Sequence, residues 1–179
     1  MKLGTRRVYS GRVLDLDVDT VRFPDGSVGE LEMIRHSGAS AVVPVLSTDT
    51  ATDPEILLIR QFRHAADGLI WEVPAGRLDP GETPDDCARR ELLEEAGAIA
   101  GRLTRLTTIY STPGFTDERI HLFVAREITQ GQHQREADEF METRSLPLSR
   151  ILAMIESGDM TDGKTVAALL FFSRFGLGL

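Results

Sequence analysis

The chain has 179 residues, 41% of them hydrophobic, enough for one well-filled core and too few for two large independent domains. A formal charge of -8, from 28 acidic against 20 basic residues, leaves no broad cationic surface, so a nucleic-acid polymer is not an expected partner. No apolar run approaches the roughly 20 residues of a spanning helix, no apolar stretch follows the basic start MKLGTRRVYSGRV, and the single Cys87 has no internal disulfide partner; together these predict a cytoplasmic protein away from membranes.

From Val13 to Phe23 apolar and acidic residues alternate, Leu14, Leu16 and Val18 against Asp15, Asp17 and Asp19, the period of a strand with one covered face. Pro24-Asp25-Gly26 reads as a turn, and Val28 to Arg35 completes a hairpin whose acids are expected to face water. Ser40 to Leu46 and Glu55 to Phe62 are aliphatic runs separated by a polar stretch, which predicts central strands joined by a surface loop. Leu69 to Val73, Leu103 to Tyr110 and Arg119 to Ala125 are further strands. Apolar residues recurring at three and four predict helices from about Ser149 to Ser157 and from about Lys164 to Phe175. Strands, one central helix, more strands and terminal helices predict an α/β fold with a mixed sheet and helices on its faces. The common dinucleotide, phosphate-loop and serine-hydrolase signatures are absent.

The central helix carries the chemistry. Thr83 can cap it, Pro84 suits its first position, Asp85 and Asp86 favour the positive end of its dipole, and Gly97 supplies the stop. Within it Glu91, Glu94 and Glu95 are spaced by three and four and share one stripe, while Leu92 and Ala96 point to a buried side. Like charges so placed repel, and Arg90 alone does not neutralise three carboxylates. A solvent-facing glutamate surface is the plain alternative; a hard divalent cation would offset the stripe, since magnesium and manganese prefer carboxylate oxygen. The preceding loop, Pro74-Ala75-Gly76-Arg77-Leu78-Asp79-Pro80-Gly81-Glu82, is rich in residues with special backbone angles, as a loop bringing carbonyls and a carboxylate to a metal must be.

Gly76, five residues, Glu82, seven residues, then Arg90-Glu91-Leu92-Leu93-Glu94-Glu95-Ala96-Gly97-Ala98 resembles the complete Nudix box. Ile59-Arg60-Gln61-Phe62-Arg63, Trp71-Glu72-Val73-Pro74-Ala75-Gly76 and Ser111-Thr112-Pro113-Gly114-Phe115 are similar to the branch of that superfamily that cleaves ADP-ribose and other nucleoside diphosphate sugars. Pro113 falls 15 residues after Ala98, where that branch carries a marker proline; an ordinary turn proline is the structural alternative.

The resemblance implies a Nudix α/β/α sandwich over 39–179, an N-terminal antiparallel β-region over 1–38 that pairs two chains into a homodimer, and magnesium (or manganese) as cofactor. It implies Glu91 and Glu95 as main metal ligands, Glu94 and Glu82 as supporting carboxylates, the carbonyl of Ala75 as a further ligand, and Arg90 as the group orienting a glutamate. A loop glutamate, Glu139 or else Glu136, would serve as catalytic base or third ligand. Arg63, Glu72, Pro113, Gly114 and Glu118 are the expected substrate contacts. The implied reaction is hydrolysis of ADP-ribose to AMP and ribose 5-phosphate. GDP-mannose or another nucleoside diphosphate sugar is the enzymatic alternative, and a non-catalytic nucleotide-sensing module the alternative from another class.

Overall fold

The structure, a computed structural model, describes residues 1–49, 51–131 and 141–177. Its first residues form a three-stranded antiparallel sheet of β1 (Lys2–Ser10), β2 (Asp15–Arg22) and β3 (Val28–Arg35), in that order. The β2–β3 hairpin is the expected one, closed at Gly26 with φ 87°. Strand β1 was not expected, because its run KLGTRRVYS is dominated by polar residues with no apolar alternation.

The hairpin also corrects the predicted outward orientation of the acids. Asp17 and Asp19 are 4% and 6% exposed. A charge can be covered when it is paired, and here both are: Arg35 donates to Asp17 (Nε to Oδ2, 3.0 Å) and to Asp19, Arg7 donates to Asp17, and the Thr5 hydroxyl donates to Asp19 at 2.7 Å. Alternation with period two identifies residues that share a face but not which face is covered. These bonds hold both aspartates below the usual carboxylate range, against a desolvation that works the other way. Meanwhile Val8, Tyr9, Val13, Leu14 and Val28 stay exposed in the single chain.

The end of β3 leads into the main body. Ile34 N donates to Phe115 O at 2.8 Å, and Asp117 accepts from His36 N and Arg35. A four-stranded sheet has the order β7 (Ala75–Arg77), β4 (Ala39–Pro44), β9 (Arg119–Gln130), β8 (Ala98–Tyr110), with β4 and β9 parallel and the other pairs antiparallel. The mixed sheet is as expected. A three-stranded antiparallel sheet has the order β10 (Met141–Pro147), β5 (Glu55–Arg63), β6 (Gly68–Glu72). Strands β7 and β10 were not predicted: the first has three residues including a glycine, the second, METRSLP, is largely exposed and polar. The helices are α1 (Pro84–Ala96), α2 (Leu148–Ser157) and α3 (Gly163–Phe171), the last continuing as a π-turn over Phe172–Gly176 where the sequence pattern predicted one helix to Phe175.

The layering follows from alternation on the central strands. Along β4, Ala41 and Val43 join Leu58, Ile151, Leu169 and Phe172 on the side of α2 and α3, while Val42 joins Leu92, Phe123 and Ala125 on the side of α1. With both faces covered, β4 reads as a continuous apolar run. Among the described residues no helix is long and apolar enough to cross a membrane.

Candidate active site

Helix α1 is held at both ends by the residues the sequence singled out. Thr83, extended at φ -80° and ψ 154°, accepts from Asp86 N at 3.2 Å, and Pro84 occupies the first turn. The Ser40 hydroxyl donates to Pro84 O at 2.7 Å, which ties the start of the helix to β4. Gly97, left-handed at φ 61°, closes it with its N–H on Leu93 O at 3.0 Å. Cys87, Ala88, Leu92 and Ala96 form the buried face, and this rotation carries Glu91 and Glu95 to its edge, 8% and 3% exposed. Burial pushes the Cys87 thiol up to about 12, so it packs as a neutral group.

Strand β7 lies against these carboxylates. Ala75 N donates to Glu95 Oε2 at 2.8 Å. A Cβ on Gly76 would fall inside the van der Waals envelope of the Glu91 carboxylate, so glycine is what lets the strand approach this closely. Arg90 gathers the rest. Its Nε and Nη2 donate to the two oxygens of Glu82 at 2.8 and 2.9 Å, and its Nη1 donates to Glu91 at 2.6 Å and to Glu94 at 3.0 Å. Bonding to Arg90 pulls the Glu82 carboxyl down to about 2, and the same bonds raise the guanidinium. One arginine therefore touches three of the four acids, more than its sequence spacing to Glu94 indicated.

Among the described residues no three carboxylate, imidazole or thiol groups converge closely enough to share an ion in this arrangement. The available donor set still has one chemistry. Glu82, Glu91, Glu94 and Glu95 offer carboxylate oxygen beside the Ala75 carbonyl, which suits magnesium or manganese and not a thiolate-seeking metal. Because Gly76 has no Cβ, the Glu91 carboxylate packs directly against the β7 backbone, a carboxylate-and-backbone surface whose donor chemistry fits such an ion.

The expected substrate contacts divide. Arg63 and Glu72 are paired by a forked bond, Nε to Oε1 at 2.6 Å and Nη2 to Oε2 at 2.8 Å. Glu72 is 1% exposed, and its second cation is Lys164, whose Nζ also donates to Asp162 at 2.9 Å. Burial works to raise the Glu72 carboxyl, but the Arg63 bond and the Lys164 charge outweigh it and hold the group below its ordinary value. Glu72 thus faces protein cations with both oxygens engaged. The bond to Glu72 raises the Arg63 guanidinium above its ordinary value, against desolvation, with smaller contributions from the charges of Glu95 and Asp162. Pro113 and Gly114 are exposed in the turn between β8 and β9, and Glu118 lies 3.5 Å from His36. Ser111, Thr112, Glu118, Asp162 and Lys164 line a groove of about 440 Å³. Glu136 and Glu139 lie outside the described residues. Sequence reasoning missed Lys164 and Asp162; the one available signal was the Asp162-x-x-Thr165 cap, which marks a helix start and says nothing of a site.

Comparison with known proteins finds relatives along most of the chain. The family model of the NUDIX domain matches residues 36–169. An ADP-ribose pyrophosphatase of Bacillus subtilis is 39% identical over 171 residues, 94% of this chain and 90% of that protein. A GDP-mannose pyrophosphatase of Salmonella paratyphi B is 36% identical over 158 residues, 77% of this chain and 78% of that one. A solved ADP compounds hydrolase superposes with TM-score 0.81 at 23% identity, covering 98% of this chain and 92% of its own, which shows a shared fold.

Proposed function

From the chain's membership in the NUDIX domain family, a family generally dependent on divalent metal, we propose that it is a cytoplasmic magnesium-dependent pyrophosphatase that hydrolyses ADP-ribose to AMP and ribose 5-phosphate. The observation that carries the reading is the pair Glu91 and Glu95, four residues apart at the buried edge of α1 and turned onto the Ala75–Gly76 backbone. Glu91 and Glu95, with Glu94, Glu82 and the Ala75 carbonyl, would hold the metal. A divalent ion bound there supplies neutralisation of the diphosphate charge and a lowered pKa for an attacking water.

The chain's own groups do the rest. Arg90 keeps Glu82, Glu91 and Glu94 within one hydrogen-bonded set, so the carboxylates are oriented before substrate arrives. Arg63 spends Nε and Nη2 on Glu72, which leaves Nη1 uncommitted to that carboxylate and suited to a phosphate oxygen. The turn at Pro113 and Gly114, with Glu118, is assigned to the sugar end. Glu139 or Glu136 is assigned as the base.

The N-terminal β-region over 1–38 is assigned to homodimerisation. The apolar residues it leaves open, Val8, Tyr9, Val13, Leu14 and Val28, support this, because a second copy would cover them.

Likeness to a GDP-mannose pyrophosphatase favours that sugar nucleotide as the second reading. Incubation of the protein and magnesium chloride with ADP-ribose, GDP-mannose and related compounds, with product identification, tests both. AMP with ribose 5-phosphate as the preferred outcome is expected; preferential release of mannose 1-phosphate would select the second reading, and no turnover of any nucleotide would select a binding module.

A further inference from the structure

Two cations and two anions outside the box form a continuous chain with Arg63 at its end. Arg63 grips Glu72 through two bonds at 2.6 and 2.8 Å; Glu72, on the last position of β6, is 1% exposed; Lys164, in the first turn of α3, donates to Glu72 Oε2, which Arg63 Nη2 also reaches; Asp162, the cap of α3, accepts from Lys164 at 2.9 Å and from Thr165 N at 3.0 Å. The Thr165 hydroxyl oxygen accepts from the N–H of Val73, one residue after Glu72, at 2.9 Å. The start of α3 is therefore fastened to the strand end that leads, through Pro74, into the Ala75–Gly76 backbone of the site.

We propose that Lys164 is a positioning residue for substrate capture: through Glu72 it sets where the Arg63 guanidinium sits and how much positive charge it presents to the diphosphate. This rests on the reading of the chain as a nucleoside diphosphate sugar hydrolase. The argument is one of charge and geometry. Arg63, Glu72, Lys164 and Asp162 together sum to zero, two cations against two carboxylates. Without the lysine cation the same enclosure holds Glu72 and Asp162 against Arg63 alone, a net of minus one facing an anionic substrate. Arg63, the remaining cation, is then drawn toward the buried carboxylate and away from a ligand, since a buried carboxylate that loses a partner competes strongly for the one it keeps. An interaction made equally with bound substrate and with the transition state changes KM and leaves kcat.

The test is a double-mutant cycle of Lys164→Gln and Arg63→Lys, assayed with ADP-ribose and magnesium chloride. K164Q is expected to raise KM by about tenfold, the scale of one charge-assisted hydrogen bond, with kcat within about twofold and with K164R restoring most of the loss. In the R63K background K164Q is expected to add little, because Lys164 acts through Arg63. Effects that multiply in full, or a fall in kcat at unchanged KM, would overturn the proposal. The Arg63 Nε–H resonance, read by NMR without substrate, gives an independent answer: it should move in K164Q and return in K164R, and an unmoved resonance counts against the idea. That readout separates the two claims, because it holds even if the native protein fails to turn over ADP-ribose. If K164Q does not fold, Lys164→Met, which also removes the cation, carries the same cycle and resonance comparison, a shifted Arg63 signal with raised KM supporting the proposal and native values for both opposing it.

Discussion

The Ala75 N–H donates to Glu95 Oε2 at 2.8 Å, joining a three-residue strand to the last turn of a helix 20 residues later. That bond, with the bare Cα of Gly76 beside Glu91, sets the distance between backbone and carboxylates on which the proposed chemistry depends.

Gly76→Ala tests that spacing directly. The added methyl would overlap Glu91, so either the strand or the carboxylate must move. We expect kcat/KM to fall by about 10²-fold, the usual consequence of a displacement near 1 Å in a catalytic array, while far-ultraviolet circular dichroism stays native. Unchanged kinetics would show that the close approach has no part in turnover.

Metal dependence is tested by ligand removal and by chelation. Glu95→Gln removes one carboxylate charge yet can still accept from Ala75 N, so the fold should persist. Turnover is expected to drop on the order of 10³-fold, from several kcal/mol of charge stabilisation, and calorimetric manganese binding should weaken in parallel. Excess chelator should abolish activity in the native protein and added magnesium restore it. Activity that survives exhaustive chelation would refute the metal assignment.

The N-terminal ion pairs make a pH prediction with a definite sign. Asp17 and Asp19 titrate below their ordinary range in the folded chain, so the stability they contribute is complete above the unfolded value of about 3.9 and is lost as pH falls through the lower folded values. Arg35→Met removes a partner that matters while these carboxylates are ionised. The difference in Tm between native and Arg35→Met should therefore be largest above about pH 5 and shrink below about pH 4. A difference independent of pH would mean that Arg35 acts through packing alone.

The open apolar face of the N-terminal sheet predicts its own occupant. If a second copy covers Tyr9 and Leu14, sedimentation of the native protein should show two chains per particle. The pair Tyr9→Ser and Leu14→Ser should shift it toward one, with the fold of the main body intact. A monomeric native protein would remove the assignment of 1–38 to dimerisation.

Local chemistry and periodicity account for what was legible. Thr83, Pro84 and Gly97 bracket α1 as their cap and stop chemistry requires, and the apolar runs of β4 and β5 announce strands covered on both sides. Strands β7 and β10 escaped because a short, glycine-bearing strand and a polar edge strand exist through their neighbours' ladders, a long-range cause with no local trace. The inverted face of β2 escaped for a related reason: Asp17 and Asp19 are covered because Arg7 and Arg35 come from other strands to pair with them.

By itself the sequence determined the carboxylate stripe, the shape of the loop before it and the class of chemistry, because helix spacing is a local property set by 3.6 residues per turn. Tertiary structure alone decided the partners. It brought Arg90 onto three glutamates, put Gly76 against Glu91, and delivered Lys164 to Glu72 from 92 positions away along the chain. The physical reason is that a buried carboxylate is stable in company with cations, and which cations reach it is settled by how sheets and helices pack.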